Sequence, residues 1–230
     1  MTVLKPEGVV FDLDATLVNL GGFVDWKEAH TRAIKAYIAC GCPEGMIHRR
    51  SERGLFNMLN SVRDEISKSL PESELKRIQG MVYDAIESCE TEGVSHCQLM
   101  PGCIPSLEWL REHEIRMGVA TSNSQIVAVQ ILELKGIRHF FTAVVGRRPE
   151  LRMKPYPDQI LKCFEEMGVE PSRGVVIGDS VKDVEAAKSG NIYAIAVSSI
   201  FTRREALEEA GVDRVINELG ELPGVLSVLS

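Results

Sequence analysis

Asp12 and Asp14 lie two residues apart and directly follow GVVF at residues 8–11, an apolar run typical of a buried strand. At this spacing both carboxylates can face the same side of the chain. Asp179 and Asp183 follow a second apolar run, GVVIG. Four carboxylates near one point would repel one another unless protons or a cation intervened. A hard divalent cation with oxygen ligands removes that repulsion, and Mg²⁺ suits a site that also holds a phosphate.

Two further segments offer the positive charge and the donors that a phosphate needs. Lys154, in RMKPYP, can hold a phosphate oxygen and a carboxylate at once. Thr121, Ser122 and Asn123 follow the apolar run RMGVA, and Thr121 offers a hydroxyl with backbone amides nearby. Each residue alone also fits a turn, a helix cap or a solvated loop. Their joint occurrence after separate apolar runs favours phosphoryl chemistry.

The elements that must position these residues follow from hydrophobic periodicity. Strand-like runs lie at 8–11, 116–120, 140–145, 174–177 and 192–197, with 214–216 as a possible sixth. Helical patterns lie between them, at 103–113, 124–135, 157–167, 181–189 and 203–210. This alternation predicts an α/β fold with a Rossmann-like, three-layer parallel sheet. Because the carboxyl ends of parallel strands share one edge, the polar residues after the strands are expected to converge.

The region from residue 17 to residue 98 breaks the alternation. Helical patterns fill it at 26–40, 52–69 and 71–90, and Pro101-Gly102 marks the return to α/β alternation. We therefore predict an α/β core of residues 1–16 and 99–230. Residues 17–98, hereafter the inserted segment, are predicted to form a separate helical domain.

Four segments in order resemble the motifs of the haloacid dehalogenase superfamily, and most closely its phosphoglycolate-phosphatase and β-phosphoglucomutase branch. They are FDLDATL (11–17), VATSN (119–123), KPYPD (154–158) and VVIGDSVKDVEAAKSG (175–190). LMPGCIPSLEWLREH (99–113) also resembles that branch. The resemblance extends over nearly the whole chain.

The resemblance implies a role for each motif residue. Asp12 is the nucleophile that takes up the phosphoryl group, and Asp14 protonates the departing oxygen and later deprotonates the attacking water. Thr121 and Lys154 hold the transferring group. Mg²⁺ is held by the Asp12 carboxylate, the Asp14 main-chain carbonyl and Asp179.

The remaining motif residues support that site. Asp183 is grouped with the metal-site residues, and its implied role is to orient Lys154 or a metal-bound water. Thr16 is grouped with Ser122 and Asn123 as phosphate-binding, and its hydroxyl is expected to brace the first loop. Ala15 stands where the family usually has glycine, so the loop is expected to adopt a conformation that an L-residue tolerates.

The inserted segment corresponds to the helical cap of such proteins, with hinges near 17–22 and 97–102. Its stretch MIHRRSERGL is basic, and Arg49, Arg50 or Arg53 could receive a substrate carboxylate or second phosphate. The alternative for these arginines is a solvated helix face.

The predicted activity is a Mg²⁺-dependent phosphatase that hydrolyses a small, phosphoglycolate-like metabolite through an aspartyl-phosphate. The presence of Asp14 favours phosphoesters over dehalogenation, because an alkoxide needs a proton and a halide does not. A phosphomutase is the alternative, although VNLGGFVDW lacks the histidine that such mutases carry and His30 lies too far along. A phospho-receiver signalling module is disfavoured because such modules are about half as long as this chain. A catalytically silent binding protein on the same scaffold is disfavoured because every position expected to react is intact.

Composition limits the partners. The formal net charge of −7 argues against nucleic acid and anionic membrane surfaces. No stretch approaches the ~20 apolar residues of a membrane span, and the first residues lack the apolar run of a signal peptide. We therefore expect a cytoplasmic protein, monomer or homodimer, whose partner is a small phosphate ester.

Overall fold

A computed structural model describes residues 5–199 and 202–229. Within these ranges, six parallel strands form one sheet in the order β3-β2-β1-β4-β5-β6. The strands are β1 (Gly8–Phe11), β2 (Arg116–Ser124), β3 (Ala143–Arg147), β4 (Gly174–Gly178), β5 (Tyr193–Val197) and β6 (Arg214–Ile216). The predicted Rossmann-like parallel sheet is confirmed.

Helices cover both faces of this sheet. Those after the inserted segment are α5 (Cys103–Glu112), α6 (Gln125–Leu134), α7 (Asp158–Met167), α8 (Val181–Ser189), α9 (Arg204–Glu209) and α10 (Leu222–Ser227). The side chains of Val9 and Phe11 in β1 pack in a cluster with α5, α6 and α10, whereas Val10 packs with α7, α8 and α9. Burial on both faces explains why β1 is apolar throughout.

The inserted segment contains four helices with their own apolar core. They are α1 (Trp26–Ala39), α2 (Glu44–Ser51), α3 (Leu55–Ile66) and α4 (Glu72–Gly93). The basic stretch at 46–55 includes most of α2, a helix that the sequence patterns did not predict. The helix predicted over 52–69 begins only at Leu55, because Gly54 adopts a φ of 80° and interrupts the chain direction. Met153 of the following α/β region joins this core, so the two parts are packed together.

The end of β2 differs from the prediction in a way that matters for the site. β2 continues to Ser124, so Thr121, Ser122 and Asn123 belong to the strand itself and not to a loop after it. The β2–β3 register shifts between Ala120 and Ser124, where Ser124 pairs with Arg147.

None of the described helices combines the length and the hydropathy that crossing a membrane requires.

Candidate active site

The strand ends meet at one cavity of about 1200 Å³, between the sheet edge and the inserted segment. Its lining includes Asp12 after β1, Thr121 in β2 and Asp179 after β4. Lys154 also lines the cavity, although its segment is far from these strands in the sequence. The structure thus brings together residues that the sequence places up to 167 positions apart, counted from Asp12 to Asp179.

Lys154 is the central cation of this site. Its Nζ donates to Asp12 Oδ1 and to Asp183 Oδ1, each at 2.5 Å, and its side chain is 5% exposed. Burial disfavours the charged amine, but the Asp12 and Asp183 carboxylates outweigh burial and raise the pKa of Lys154 above its usual range. The ammonium therefore persists at any physiological pH.

Lys154 alone does not offset the burial and the mutual repulsion of the acids around it. Burial, followed by the charge of Asp183, raises the pKa of Asp179 to about 7. Burial also raises the pKa of Asp12, against the opposing effect of Lys154, and the nearby Asp183 and Asp179 raise it further. Asp12 and Asp179 would ionise more readily beside a second cation, because its charge would offset their burial and their mutual repulsion.

The donor set fits a hard cation. Carboxylate oxygens of Asp12, Asp179 and Asp183 all lie within 4.8 Å of one another, and the three residues are buried. All three donors are oxygens, the ligand type that Mg²⁺ prefers. The described residues therefore suit the predicted magnesium ion.

Asp183 is the least available of the three for a metal. Its Oδ1 is held by Lys154, and its Oδ2 accepts from Ser180 N at 3.1 Å and Ser180 Oγ at 2.5 Å. Ser180 in turn caps the N-terminus of helix α8, and Ser180 and Asp183 together form a reciprocal capping box. Gly178 permits this packing, because a Cβ there would lie 2.3 Å from Asp183 Cγ. The geometry favours Asp183 as the residue that orients Lys154.

Asp14 lies beside the start of the inserted segment. The backbone N–H of Gly21 donates to Asp14 Oδ1 at 2.8 Å. A Cβ on Gly21 would lie only 2.5 Å from Asp14 Oδ2, so this approach requires glycine. Burial raises the pKa of Asp14, and the Gly21 hydrogen bond partly offsets that rise. A raised pKa suits a carboxyl group that must carry a proton before it donates one.

Ala15, next to Asp14, has a φ of 59°. This value lies in the left-handed region, so the loop retains the conformation that favours glycine. The expectation of a conformation without that strain is not met.

Thr121 and Asn123 hold each other at the end of β2. The Thr121 hydroxyl donates to Asn123 Oδ1 at 3.0 Å and accepts from the Asn123 N–H at 3.2 Å. Ser122, between them, is half-buried and lines the cavity. All three predicted phosphate-binding residues of this motif therefore lie at the site.

Thr16 and the three arginines are placed differently. Thr16 is fully buried and its hydroxyl has no hydrogen-bond partner within the described ranges, so the expected bracing contact is not formed. Arg49, Arg50 and Arg53 are absent from the described lining of the cavity. Arg50 instead pairs with Glu65 at 2.7 Å, and the other two are exposed. This placement matches the alternative of a solvated helix face.

The inserted segment contributes aromatic residues to the cavity that sequence reasoning did not identify. Phe23, Trp26 and Phe56 line it. The Trp26 and Phe56 rings lie 5.4 Å apart, and the Lys182 ammonium lies 6.0 Å from the Phe56 ring centre. Trp26 Nε1 also donates to Gly21 O at 3.1 Å. Only the basic character of residues 46–55 drew attention in the sequence, whereas these aromatics carry no motif.

Two buried polar residues of the inserted segment were also missed. Asn60 of α3 binds the backbone of Met153 and Lys154, and Glu90 of α4 binds Asn123 and Arg147. Their partners lie more than thirty positions away in the chain, so local spacing gives no signal for them.

The chain is similar to known proteins in sequence and in fold. The sequence profile of the haloacid dehalogenase-like hydrolase family matches residues 9–197. The chain is 25% identical over 226 residues to a phosphoglycolate phosphatase from Nitrosococcus oceani, with 97% of each protein covered. A solved structure of a putative phosphoglycolate phosphatase from Lactobacillus delbrueckii is similar, with a TM-score of 0.66 and 18% identity over 96% of this chain and 98% of that one.

A second solved structure, a putative beta-phosphoglucomutase from Thermotoga maritima, has a TM-score of 0.63 and 25% identity. The match covers 96% of this chain and 98% of the Thermotoga maritima chain. The family profile spans more than half of the sequence and includes all four segments that carry the cavity residues Asp12, Thr121, Lys154 and Asp179. The chain belongs to the haloacid dehalogenase-like hydrolase family.

Proposed function

We propose that the protein is a Mg²⁺-dependent phosphatase that hydrolyses a small phosphorylated metabolite through an aspartyl-phosphate on Asp12. The observation that carries this proposal is the position of the Lys154 ammonium, 2.5 Å from both Asp12 and Asp183 in a cavity that Thr121 also lines. A nucleophilic carboxylate beside a fixed cation and a hydroxyl suits the transfer of a phosphoryl group.

The first step transfers the phosphoryl group from the substrate to Asp12. A carboxylate oxygen of Asp12 forms a bond to phosphorus while the bond between phosphorus and the ester oxygen breaks. Asp14 gives its proton to that departing oxygen, which leaves as an alcohol. Lys154 offsets the charge on the equatorial phosphate oxygens, and the Thr121 hydroxyl does so once its proton turns from Asn123 Oδ1 to the phosphate.

The second step releases inorganic phosphate. Asp14, now ionised, removes a proton from a water molecule as the water oxygen attacks the phosphorus of the aspartyl-phosphate. The bond between phosphorus and the Asp12 oxygen breaks, which regenerates both carboxyl groups in their starting states.

Magnesium is the proposed cofactor. Asp12 and Asp179, with the Asp14 main-chain carbonyl, would hold it, and Asp183 would keep Lys154 in place. When bound, the ion supplies positive charge that lets an anionic phosphate approach this acidic cluster.

The substrate class rests on the relatives and on the cavity. Relatives along nearly the full length are phosphoglycolate phosphatases, which supports a small phosphate ester of that kind. The inserted segment would serve as the cap that limits water access, since Phe23, Trp26 and Phe56 form part of the cavity wall.

The test is a phosphatase assay with Mg²⁺ over many phosphorylated metabolites, in the wild type and in Asp12→Asn. We expect wild-type release of inorganic phosphate and a loss of about 10³-fold or more in Asp12→Asn, because the nucleophile is removed. Asp84→Asn, at an exposed position of α4, is the matched control and should retain activity. Activity that survives in Asp12→Asn refutes the proposal, and conversion of a sugar phosphate to its isomer without phosphate release would establish the mutase alternative.

A further inference from the structure

Glu90 is a fully buried carboxylate of the inserted segment that the proposed reaction does not use. It lies near the end of α4, and both of its oxygens are saturated with donors. Oε1 accepts from Asn123 Nδ2 at 3.0 Å and Arg147 Nη1 at 3.1 Å. Oε2 accepts from Arg147 Nη2 at 2.7 Å and the Ser124 N–H at 3.2 Å. All of these donors belong to β2 or β3 of the sheet.

Arg147, the partner of Glu90, is equally buried. The side chains of both residues are 0% exposed. Arg147 Nη1 also donates to Ser122 O at 2.9 Å, and its guanidinium lies 5.2 Å from the Tyr83 ring centre. Its Nε has no partner among the residues that the structure describes. Since removing two charges from water is unfavourable, a buried ion pair is weak evidence for stability, and its geometry points to a positioning role.

The two buried charges fix the part of β2 that faces the cavity. Arg147 holds the Ser122 carbonyl and Glu90 holds the Ser124 N–H. The Thr121 carbonyl accepts from Gln159 Nε2 at 2.6 Å. Backbone groups of three of the four consecutive residues 121–124 are therefore tied from outside the strand, where the β2–β3 register shifts.

Glu90 also determines which way the Asn123 amide points. A carboxylate accepts only, so it selects the Nδ2 end of that amide and turns Oδ1 toward the Thr121 hydroxyl. A neutral amide in place of Glu90 could donate or accept, and Asn123 could then present either end to Thr121. The Thr121 hydroxyl would then lose one of the two contacts with Asn123 that fix its position beside the cavity.

We infer that Glu90, held by Arg147, is a positioning residue that orients the Thr121–Ser124 phosphate-binding segment from within the inserted segment. This inference rests on the proposed function, because it assigns Glu90 to the same phosphate pocket. Glu90 is absent from the described lining of the cavity and reaches the pocket through Asn123, Arg147 and the β2 backbone. Its charge also contributes, as a minor cause after burial, to the raised pKa of Asp14.

The test compares Glu90→Gln, Arg147→Met and the double variant with wild type. The readouts are the inhibition constant of inorganic phosphate, KM and kcat for a chromogenic phosphate ester, and Tm. Each single variant leaves a buried charge or donor without its partner, so both are expected to lose stability. The double variant removes both charges and should recover most of the lost Tm.

The phosphate inhibition constant and Tm then distinguish an effect on positioning from an effect on stability. We expect the phosphate inhibition constant and KM to rise by about tenfold in Glu90→Gln, with a smaller change in kcat, and to stay raised in the double variant. Glu92→Gln, an exposed neighbour on α4, is the control for the lost charge and should match wild type. An unchanged inhibition constant in Glu90→Gln, or one that returns to the wild-type value with Tm in the double variant, would overturn the inference.

A variant that keeps the charge guards against failure to fold. Arg147→Lys retains the positive charge but loses the two-pronged contact with Glu90 and the fork that reaches Ser122. The inference expects weaker phosphate inhibition there as well, and an unchanged constant contradicts it. A wild type without any phosphatase activity would instead defeat the proposed function, so the two failures can be told apart.

Discussion

At the scale of single residues, the first loop of the site depends on backbone geometry. Ala15 holds a φ of 59°, and the Gly21 N–H reaches Asp14 from the start of the inserted segment. Both positions show how a side chain, or its absence, sets the location of the Asp14 carboxyl group. Each gives a prediction that a single substitution tests.

Ala15→Gly should stabilise the protein. An L-residue in the left-handed region costs roughly 1–2 kcal/mol, whereas glycine adds about 0.5–1 kcal/mol of chain entropy to the unfolded state. The unfolding free energy should therefore rise by about 0.5–1 kcal/mol, and Tm by about 1–4 °C. Thermal denaturation measures this, and a lower Tm would show that the Ala15 conformation carries no strain.

Gly21→Ala should impair the acid–base step. The new Cβ would lie 2.5 Å from Asp14 Oδ2, so the carboxyl group or the chain must move. A displacement of this size should lower kcat by about 10–100-fold with a natural alkyl phosphate. Gly22→Ala is the matched control, because nothing lies within 4 Å of a Cβ there. Equal kcat values in the two variants would exclude the close packing of Gly21 on Asp14 as a requirement.

At the scale of elements, helices of the inserted segment support the loops that carry reactive groups. Asn60 of α3 donates to Met153 O at 3.1 Å and Lys154 O at 3.2 Å, and its Oδ1 accepts from the Met153 N–H at 3.2 Å. One buried amide thus satisfies three backbone groups at and next to Lys154. Because Asn60 holds the backbone that carries Lys154, the position of the Lys154 ammonium depends on the packing of α3.

Asn60→Ala should damage both stability and activity. It leaves buried backbone groups without partners, which costs about 1–3 kcal/mol of unfolding free energy. The loosened Lys154 segment should lower kcat/KM by about tenfold. Asn57→Ala is the control on the same helix, since the Asn57 amide binds only Arg53 O at 3.0 Å on the exposed side. A variant with wild-type kcat/KM would show that Lys154 keeps its position without Asn60.

These contacts also explain what the sequence could and could not predict. Apolar runs such as GVVF predicted the strands, and strand ends in a parallel sheet predicted the convergence of Asp12, Thr121 and Asp179. The α2 helix was missed because its basic residues carry little apolar periodicity. Asn60 and Glu90 were missed because their roles come from tertiary packing, which spacing along the chain does not encode.

At the scale of the whole molecule, several contacts near the site join the inserted segment to the α/β region, and three of them bear on the proposed reaction. Gly21 holds Asp14, Asn60 holds the Lys154 segment, and Glu90 holds the end of β2. Any opening of the cavity must preserve these buried contacts or replace them, because unpaired buried polar groups are unfavourable. The acid cluster at the centre links this folded arrangement to pH and to metal.

Magnesium should stabilise the protein more as the pH rises. Without metal, the pKa of Asp179 is raised from 3.8 to about 7, so the native state binds the proton more tightly than the unfolded chain. That contribution to stability is present below pH 3.8 and is lost as the pH rises through about 7. Mg²⁺ requires the ionised carboxylate, so its stabilisation should grow over the same range.

Thermal denaturation with Mg²⁺ and with EDTA, from pH 5 to 8, measures this effect. Asp179→Asn should lose most of the Mg²⁺-dependent rise in Tm, whereas Asp84→Asn should retain it. A Mg²⁺ effect that is independent of pH, or that survives in Asp179→Asn, would place the metal elsewhere.

The most direct test of the account is to trap the phosphoryl group on Asp12. Asp14→Asn is mixed with an aryl phosphate, whose leaving group needs no proton, and the reaction is quenched with acid. Because Asp14 activates the attacking water in the proposed mechanism, the phosphoryl-enzyme should accumulate, and mass spectrometry of the peptides should locate the phosphate on Asp12. A label on another residue, or release of the aryl alcohol at the wild-type rate with no phosphorylated protein, would contradict the account.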